Sequence, residues 1–459
     1  MALKTNSIDM IHGSLWTKIL KFACPLILTS FLQQMYSAAD VIVVGRFAGQ
    51  EALAGVGTCT AIFNLFLNFI MGFSAGATIV LGQAIGADDR EGIEKVTHTA
   101  LAIAISCGLI ICIVCLLFTK ELLHLIDVPQ NVMSEAAVYL RIVAVGYIPL
   151  LIYNFGAAIL RAKGDTKRSL YIVTISGIIN VILNLFFVCV LNMSADGVAL
   201  ATVISHIFTA TAMMYILCNE IDETRISLRK IRFYKEPVLK IIRFGLPSGI
   251  QSSVYSISNI LVQSSVNSFG SAAIAGSAAT SSITEFYNAM SNGMYQASIV
   301  FASQNFGAKK FERIKNTIWV CMVYVFAIWA IQSAITFFFG EFLIGLYAPN
   351  DSAVIEIGMR KFNIMGYTYG IAAMMNVMSG VLRGVGASFI NMVTSIVGVC
   401  GIRIIWILTA FKAMGTFESL FLCYPLSWLG TIIMHTIMFI VVFKKEKRLY
   451  LKEGKVQQI

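Results

Sequence analysis

Long apolar runs separated by short polar connections dominate this chain of 459 residues. About 20 consecutive apolar residues suffice for a helix to cross the hydrocarbon core of a bilayer. The pattern predicts twelve such helices, at residues 18–45, 52–82, 94–119, 131–160, 167–191, 197–219, 238–268, 272–304, 315–340, 352–382, 388–411 and 417–443. We therefore expect an all-α integral membrane protein with twelve transmembrane helices.

Composition indicates the same fold class. Hydrophobic residues make up 58% of the chain and charged residues only 13%, too few for the surface of a soluble protein of this length. The N-terminal stretch is polar and has no small-residue cleavage site, so the first helix is expected to act as an uncleaved insertion signal. The ten cysteines are scattered through apolar runs, which favours buried small side chains over a metal or disulfide framework.

The net charge of +10 follows a membrane topology and does not require a nucleic-acid partner. Connections after even-numbered helices hold sixteen lysines and arginines, whereas those after odd-numbered helices hold three, Arg46, Lys120 and Lys412. By the positive-inside rule, the even connections and both termini are then cytoplasmic. We expect a multi-pass protein of the cell membrane, in contact with the lipid bilayer.

The second half of the chain repeats the first at an offset of 221–222 residues. "KFACP" (21–25) corresponds to "RFGLP" (243–247), and "ILRAKGD" (159–165) corresponds to "VLRGVGA" (381–387). Each repeat holds an even number of helices, so both insert with the same orientation, as in transporters whose substrate site lies between parallel, pseudo-twofold-related repeats. The predicted domains are an N-lobe (1–219), a cytoplasmic linker (220–237), a C-lobe (238–443) and a basic cytoplasmic tail (444–459). A channel remains an alternative, although it gains nothing obvious from duplication.

Two carboxylates fall deep inside predicted spans. At 1.5 Å per residue, Asp40 lies about 7 Å below the outer end of helix 1, and Glu285 lies about 20 Å into helix 8. A charge at the centre of a span costs at least about 2.5–3.5 kcal/mol, so such acids indicate function. The alternative is a buried acid satisfied by neighbouring amides or hydroxyls; for Glu285 these would be Asn288, Asn292 and Gln296 of its own helix.

Other polar and aromatic side chains could complete a binding site. Asn180 and Asn184 are spaced i,i+4 and share one helical face. Flat cations suit carboxylates with aromatic neighbours, here Tyr36 and Tyr287. Arg403 is the one deep cation, able to pair with a C-lobe acid or only with helix carbonyls. Further polar candidates are Gln34, Asn64, Asn68 and Thr202.

Prolines lie near the start of helices 1 and 7 at the matching positions Pro25 and Pro247. Each proline permits a kink in its helix.

Several stretches resemble the multidrug and toxic compound extrusion (MATE) transporters over nearly the whole chain. They are "DVIVVGRFAGQEALAGVG", "GQAIGADDRE", "ILRAKGDTK", "NVILN…DGVALATVIS" and "ITEFYNAMSNGMYQASIVFASQNFGAKKFERIK", the last in the style of Gram-positive members. The resemblance implies a cation site on Asp40, Asn180, Asn184 and Thr202, and a hinge at Pro25. Many family members carry an acid where this chain has Asn184. The acid of span 7 in sodium-coupled members is also missing, while Glu285 matches an acid found in span 8 of similar sequences.

The expected function is antiport, in which proton or sodium entry drives export of amphipathic, often cationic, organic compounds. The candidate cargo contacts are Gln34, Tyr36, Asn64, Asn68, Glu285, Tyr287, Asn288, Asn292, Gln296 and Arg403. We expect a monomer without a cofactor or resident metal, with Na⁺ at Asp40 as the alternative coupling ion to H⁺. The alternative hypotheses are a lipid-linked saccharide flippase of the same superfamily and a transporter of the major facilitator type. A membrane enzyme is least favoured, because no cytoplasmic connection is long enough for a catalytic domain.

Overall fold

The computed structural model describes residues 7–48, 50–126, 128–130, 132–347 and 351–456, and within these ranges the chain forms helices without β-strands. Twelve long helices confirm the all-α prediction. The first six are α1 (Leu15–Val43), α2 (Gln50–Gly86), α3 (Arg90–Leu117), α4 (Met133–Lys163), α5 (Lys167–Leu185) and α6 (Ala195–Cys218). The second six are α7 (Lys235–Asn267), α8 (Ser271–Gly307), α9 (Phe311–Gly345), α10 (Ser352–Gly384), α11 (Ser388–Met414) and α12 (Cys423–Val456). Short helices cover Thr119–Leu125, Leu228–Lys230 and Phe417–Phe421.

Local sequence signals explain several helix ends. Asp89 and Asp351 cap α3 and α10, because each side chain accepts a hydrogen bond from a backbone N–H of the first turn. Gly164 ends α4 in the left-handed conformation, with φ of 93°, which a side chain would disfavour. These signals place turns at the membrane-surface connections that the charge pattern predicts.

Nine of the helical segments in the described ranges are long and apolar enough to cross a membrane. The other three long helices, α7, α8 and α10, have 33, 37 and 33 residues but carry many serines, asparagines and glycines. Polar residues inside spans are tolerated where they face protein or a cavity rather than lipid. The three polar helices therefore indicate where the second half of the chain concentrates its hydrogen-bonding groups.

Wider π-helical turns occur at the ends of two helices and inside a third. One follows α1 at Val44–Ala48, and another follows α5 at Phe186–Val190. Helix α11 contains two, at Ile396–Gly401 and Ile407–Phe411. Such turns often occur at functional sites, because they redirect side chains and free backbone groups.

The described residues divide into two compact units. Unit 1 contains Leu28–Gly249, and unit 2 contains Asp9–Ile27 together with Ile250–Ile459. Helix α1 therefore passes from unit 2 to unit 1 two residues after Pro25, and α7 passes from unit 1 to unit 2 two residues after Pro247. The predicted N-lobe (1–219) and C-lobe (238–443) follow the sequence repeats rather than these units, and their boundaries stay a prediction.

Close helix packing builds the core of each unit. In unit 1, a Cβ on Gly76 would lie 2.6 Å from the backbone nitrogen of Gly245, so glycine is required for this contact between α2 and α7. In unit 2, a Cβ on Gly276 would lie 2.7 Å from the backbone nitrogen of Gly358, which brings α8 and α10 together in the same way. Small residues at such crossings are typical of membrane helices, where packing replaces the hydrophobic effect as the source of association.

A buried ionic cluster fixes the connection after α4 to the linker in unit 1. Lys163 pairs with Glu220 at 2.5 Å and with Asp222, and Arg168 pairs with Glu220 at 2.5 Å and with Asp165. In the second repeat, the positions corresponding to Lys163, Asp165 and Arg168 are Val385, Ala387 and Ile390. The two repeats therefore use different forces at equivalent connections.

Candidate functional site

A polar group of unit 1 lies where α1 packs against α5. Tyr36 and Asp40 share one face of α1, being four residues apart, and Gly177, Asn180 and Asn184 share one face of α5. Gly177 seats the Tyr36 ring, because a side chain at Gly177 would overlap it. The Tyr36 hydroxyl donates to the carbonyl of Thr174 at 3.2 Å, which fixes the register of the two helices.

The carboxylate of Asp40 meets the amides of α5 directly. Nδ2 of Asn184 donates to Oδ1 of Asp40 at 2.5 Å and to Oδ1 of Asn180 at 3.2 Å. Asn180 and Asn184 are buried, whereas Asp40 is half-buried. The structure thus brings together three of the four residues predicted for the cation site.

One acceptor in this group is unsatisfied. Both N–H groups of the Asn184 amide are used, and its Oδ1 is buried without a hydrogen-bond partner in the described part of the chain. A buried acceptor without a donor is costly and attracts a proton donor, a cation or water. The π-helical turns after α1 and α5 begin four residues after Asp40 and two residues after Asn184. The group therefore combines a carboxylate with a buried acceptor that is free to accept a further hydrogen bond.

Thr202, the fourth predicted residue, makes its hydrogen bond elsewhere. Its hydroxyl donates to the carbonyl of Val198 at 3.0 Å, one turn earlier in α6. Gln34 is half-buried on α1, six residues from Asp40 and therefore on a different face. Asn68 is exposed on α2, and the side chain of Asn64 lies outside the described residues. Among the described residues, Thr202, Gln34 and Asn68 are not hydrogen-bonded to Asp40.

In unit 2, α8 separates the predicted cargo contacts onto two faces. Glu285 and Asn288 are exposed and joined by a hydrogen bond of 3.5 Å, and the half-buried Asn292 and Gln296 follow on the same face. Tyr287 lies on the opposite side, only 3% exposed. Its hydroxyl donates to the carbonyl of Gln332 in α9 at 2.9 Å. Tyr287 is thus a packing residue between α8 and α9 in this arrangement, apart from Glu285.

Within the described ranges, Arg403 pairs with neither of the partners considered from the sequence, an acid or helix carbonyls. Its Nε donates to the hydroxyl of Ser427 at 3.2 Å, and its Nη1 donates to Oδ1 of Asn259 at 2.9 Å. Its guanidinium lies 4.1 Å from the ring centroid of Tyr424. Neutral side chains and an aromatic face therefore hold this deep cation.

Unit 2 holds two further buried basic residues among its described residues. Lys361, next to the exposed Arg360, is 6% exposed and contacts serines of α8. Arg383, one of the sixteen basic residues that the charge pattern assigns to the cytoplasmic connections, is 5% exposed and donates to Gln251 of α7. The polarity of α7 and α8 was the available signal, because a buried cation needs acceptors on neighbouring helices.

Comparisons with known proteins agree with this architecture. The family model described as MatE matches residues 25–186 and 247–409, two segments that begin 222 residues apart and follow the internal repeat. The chain is 28% identical over 402 residues to the probable multidrug resistance protein YoeA of Bacillus subtilis (strain 168), covering 85% of this chain and 86% of that protein.

Solved structures share the fold at lower identity. A MATE protein in complex with MaL6 superposes with a TM-score of 0.89 at 20% identity, covering 97% of this chain and 100% of the other. The outward-facing form of a multidrug resistance MATE family transporter of the MOP superfamily gives a TM-score of 0.84 at 23% identity, with 99% of each chain covered. With the family model matching both halves of the chain, this protein belongs to the MATE family of multidrug efflux transporters.

Proposed function

We propose that this transporter exports amphipathic organic cations in exchange for protons, with Asp40 as the coupling carboxylate. The contact that carries the proposal is the hydrogen bond from Asn184 to Asp40 inside the membrane-spanning part of unit 1. An intramembrane acid without a basic partner is expensive to keep and marks an ion pathway. No ion pair to Asp40 occurs in the described ranges, so its charge is free to change during transport.

The orientation of the amides favours the proton over sodium. A sodium ion needs several oxygens directed at one centre. Here Asn184 directs an N–H toward Asp40, and Oδ1 of Asn180 already accepts from the same amide. A carboxylate in this position can gain and lose a proton without rearranging its neighbours. Sodium coupling would require the Asn184 amide to turn by about half a rotation.

The two prolines support alternating access. Each of α1 and α7 changes from one compact unit to the other two residues after its proline. A proline inside a helix removes one backbone hydrogen bond and lowers the cost of bending there. We place the bend of α1 at Pro25, so that the protonation state of Asp40 biases how its outer part packs on α5.

The remaining parts of the proposal concern location and cargo. Both termini and the linker before α7 lie on the cytoplasmic side of the cell membrane, as the charge pattern indicates. Glu285, Asn288, Asn292 and Gln296 form a polar face of α8 that attracts the cationic group of a cargo molecule. One chain acts as the transport unit, in contact with the bilayer alone.

Gradient-driven transport of a fluorescent cation tests the proposal. Purified protein in liposomes receives a pH gradient or a sodium gradient in turn, and ethidium movement is followed by fluorescence with entrapped DNA. A pH gradient alone should drive ethidium against its concentration gradient. Sodium-driven movement without a pH gradient would contradict proton coupling, and no movement under either gradient would contradict antiport of this cargo class.

A further inference from the structure

Unit 2 encloses three buried cations that have no acidic partner. Lys361, Arg383 and Arg403 are 6%, 5% and 4% exposed, and none forms an ion pair in the described residues. Each is held by neutral acceptors and lies over an aromatic ring. Glu285, the deep acid of this unit, bonds to Asn288 instead. The interior of unit 2 therefore holds basic side chains without acidic partners, whereas Asp40 of unit 1 is an acid without a basic partner.

A polar row on α7 links two of these cations. Gln251, Tyr255 and Asn259 follow at four-residue intervals and share one helical face. Gln251 accepts from Arg383 at 2.8 Å and donates to the hydroxyl of Tyr255 at 3.3 Å, and Asn259 accepts from Arg403 at 2.9 Å. The two arginines are thus attached about 12 Å apart along the helix axis.

Unused hydrogen-bond donors distinguish the arginines from the lysine. The ammonium of Lys361 has three N–H groups, which meet the carbonyl and hydroxyl of Ser277 and the hydroxyl of Ser281. Arg403 has five N–H groups and makes two hydrogen bonds among the described residues. Nε of Arg383 is buried without a partner. The lysine is saturated, whereas the arginines keep donors for a further acceptor.

Arg403 is buried itself, but its contacts reach the protein surface. Its partner Asn259 is exposed, and Tyr424 is half-buried, so the guanidinium lies at the edge of the protein interior. Arg403 occupies the single α-helical turn, Ile402–Trp406, between the two π-helical turns of α11. Helix irregularities of this kind are frequent at binding sites.

We propose that Arg403, with Asn259, binds the anionic group of a zwitterionic cargo molecule, most simply a carboxylate. A guanidinium offers paired N–H groups that match a carboxylate, and removal from water strengthens the interaction. This inference rests on the proposed export function and adds a second, anion-selective contact to it.

Two dyes that differ by one ester test the anion contact. Tetramethylrhodamine has a free carboxylate and is a zwitterion, whereas its methyl ester is a cation with the same rings. Binding to purified protein is measured by fluorescence anisotropy, and export is measured in vesicles under a pH gradient. Arg403→Gln should weaken binding of the zwitterion about tenfold or more and change binding of the ester less than twofold.

Two variants separate binding from folding. Asn259→Asp places a carboxylate at an exposed position beside Arg403, so it should also weaken zwitterion binding selectively without a packing change. Lys361→Gln removes a saturated cation of the same unit and should alter both dyes by the same factor.

The outcomes separate this inference from the proposed function. Equal loss for both dyes in Arg403→Gln and Asn259→Asp would overturn the anion contact and leave Arg403 a structural residue. Export of the ester without the zwitterion by the wild-type protein would also overturn it, while leaving cation export intact. Failure of the wild-type protein to bind or export either dye would overturn both proposals.

Discussion

Asn184 donates a hydrogen bond of 2.5 Å to Asp40, joining α5 to the carboxylate of α1 inside the membrane-spanning part of unit 1. The same amide donates to Asn180, so one side chain organises the whole group. A hydrogen bond to a charged group contributes about 1.5–3 kcal/mol, more than a bond between neutral groups. The geometry therefore ranks the polar residues: Asn184 should matter more than Asn180, and Asn180 more than Thr202.

Alanine substitutions test this ranking. Asn184→Ala removes both hydrogen bonds and should lower proton-driven ethidium efflux about tenfold or more. Asn180→Ala removes one neutral partner and should have a smaller effect. Thr202→Val is the control, because the Thr202 hydroxyl bonds within its own helix. Efflux by Thr202→Val that falls as far as in Asn184→Ala would contradict this ranking.

The close contact between the Tyr36 ring and Gly177 gives a prediction about packing. Gly177→Ala would drive a methyl group into the Tyr36 ring, and overpacking of this kind costs about 1–3 kcal/mol. We expect a lower unfolding temperature and weaker ethidium binding. Thermal unfolding in detergent can be followed with a thiol-reactive dye, because buried free cysteines such as Cys59 and Cys321 become reactive on unfolding.

Gly57 is the matched control for this substitution. It also lies within a long helix, but a Cβ there meets nothing within 4 Å. Gly57→Ala should be neutral or stabilise the protein by up to about 1 kcal/mol, because it only lowers the freedom of the unfolded chain. Equal unfolding temperatures for the two variants would contradict the close contact between Tyr36 and Gly177.

The ionic cluster of unit 1 predicts that the folded state loses stability at acidic pH. Burial raises the pKa of Asp222, but the ammonium of Lys163 and hydrogen bonds from Thr224 outweigh it and hold the pKa below its ordinary value of 3.8. A carboxylate with a lowered pKa stabilises the folded state above its unfolded pKa, and that contribution is lost as the pH falls. Stability should therefore decrease below about pH 4.

Variants at the same cluster check the cause. Asp222→Asn should flatten this part of the pH dependence, as measured by unfolding temperature between pH 3 and pH 7. Glu220→Gln breaks two buried ion pairs and should cost about 3 kcal/mol or more at neutral pH. The apolar counterparts in the second repeat provide no such pH dependence. If the unfolding temperature of both variants depended on pH as in the wild-type protein, the role of the cluster would be contradicted.

Side-chain hydrogen bonds to backbone carbonyls hold the segment before α1 in unit 2. Arg313 of α9 donates to the carbonyls of Met10, His12 and Gly13 at 2.9–3.0 Å. Arg313→Gln should raise hydrogen exchange in residues 9–13, since it removes three bonds to this segment and leaves those from Asn305 to Met10 and from Lys310 to Ile11. Lys315→Gln removes a neighbouring exposed cation that pairs with Glu312 and should leave this exchange unchanged. Slow exchange in Arg313→Gln would show that the segment is held by other contacts.

The sequence predicted the fold and part of the site for separate physical reasons. Apolar runs and charge bias constrain each span locally, so the twelve helices were readable from the pattern. The spacing of Asn180 and Asn184 put both on one face, and a lone acid at Asp40 demanded polar partners. Gly177 was not readable as a site residue, because its role depends on which helix packs against it.

The buried cations were missed because sequence alone does not distinguish a surface lysine from an enclosed one. Lys361 stands next to Arg360, which does pair with Glu356 at the exposed side of α10. One residue along a helix rotates the side chain by about 100°, enough to turn Lys361 toward the serines of α8. Tyr287 was grouped with Glu285 for the same reason, although two positions separate opposite faces.

Transport by Asp40→Asn tests the central claim most directly. Asparagine keeps the size of the side chain and the contact with Asn184 but removes the titratable charge that antiport requires. The variant should insert, fold with a near-wild-type unfolding temperature and bind ethidium, yet show no efflux driven by a pH gradient. An Asp40→Asn protein that exports ethidium against its concentration gradient at the wild-type rate would contradict the coupling role of Asp40.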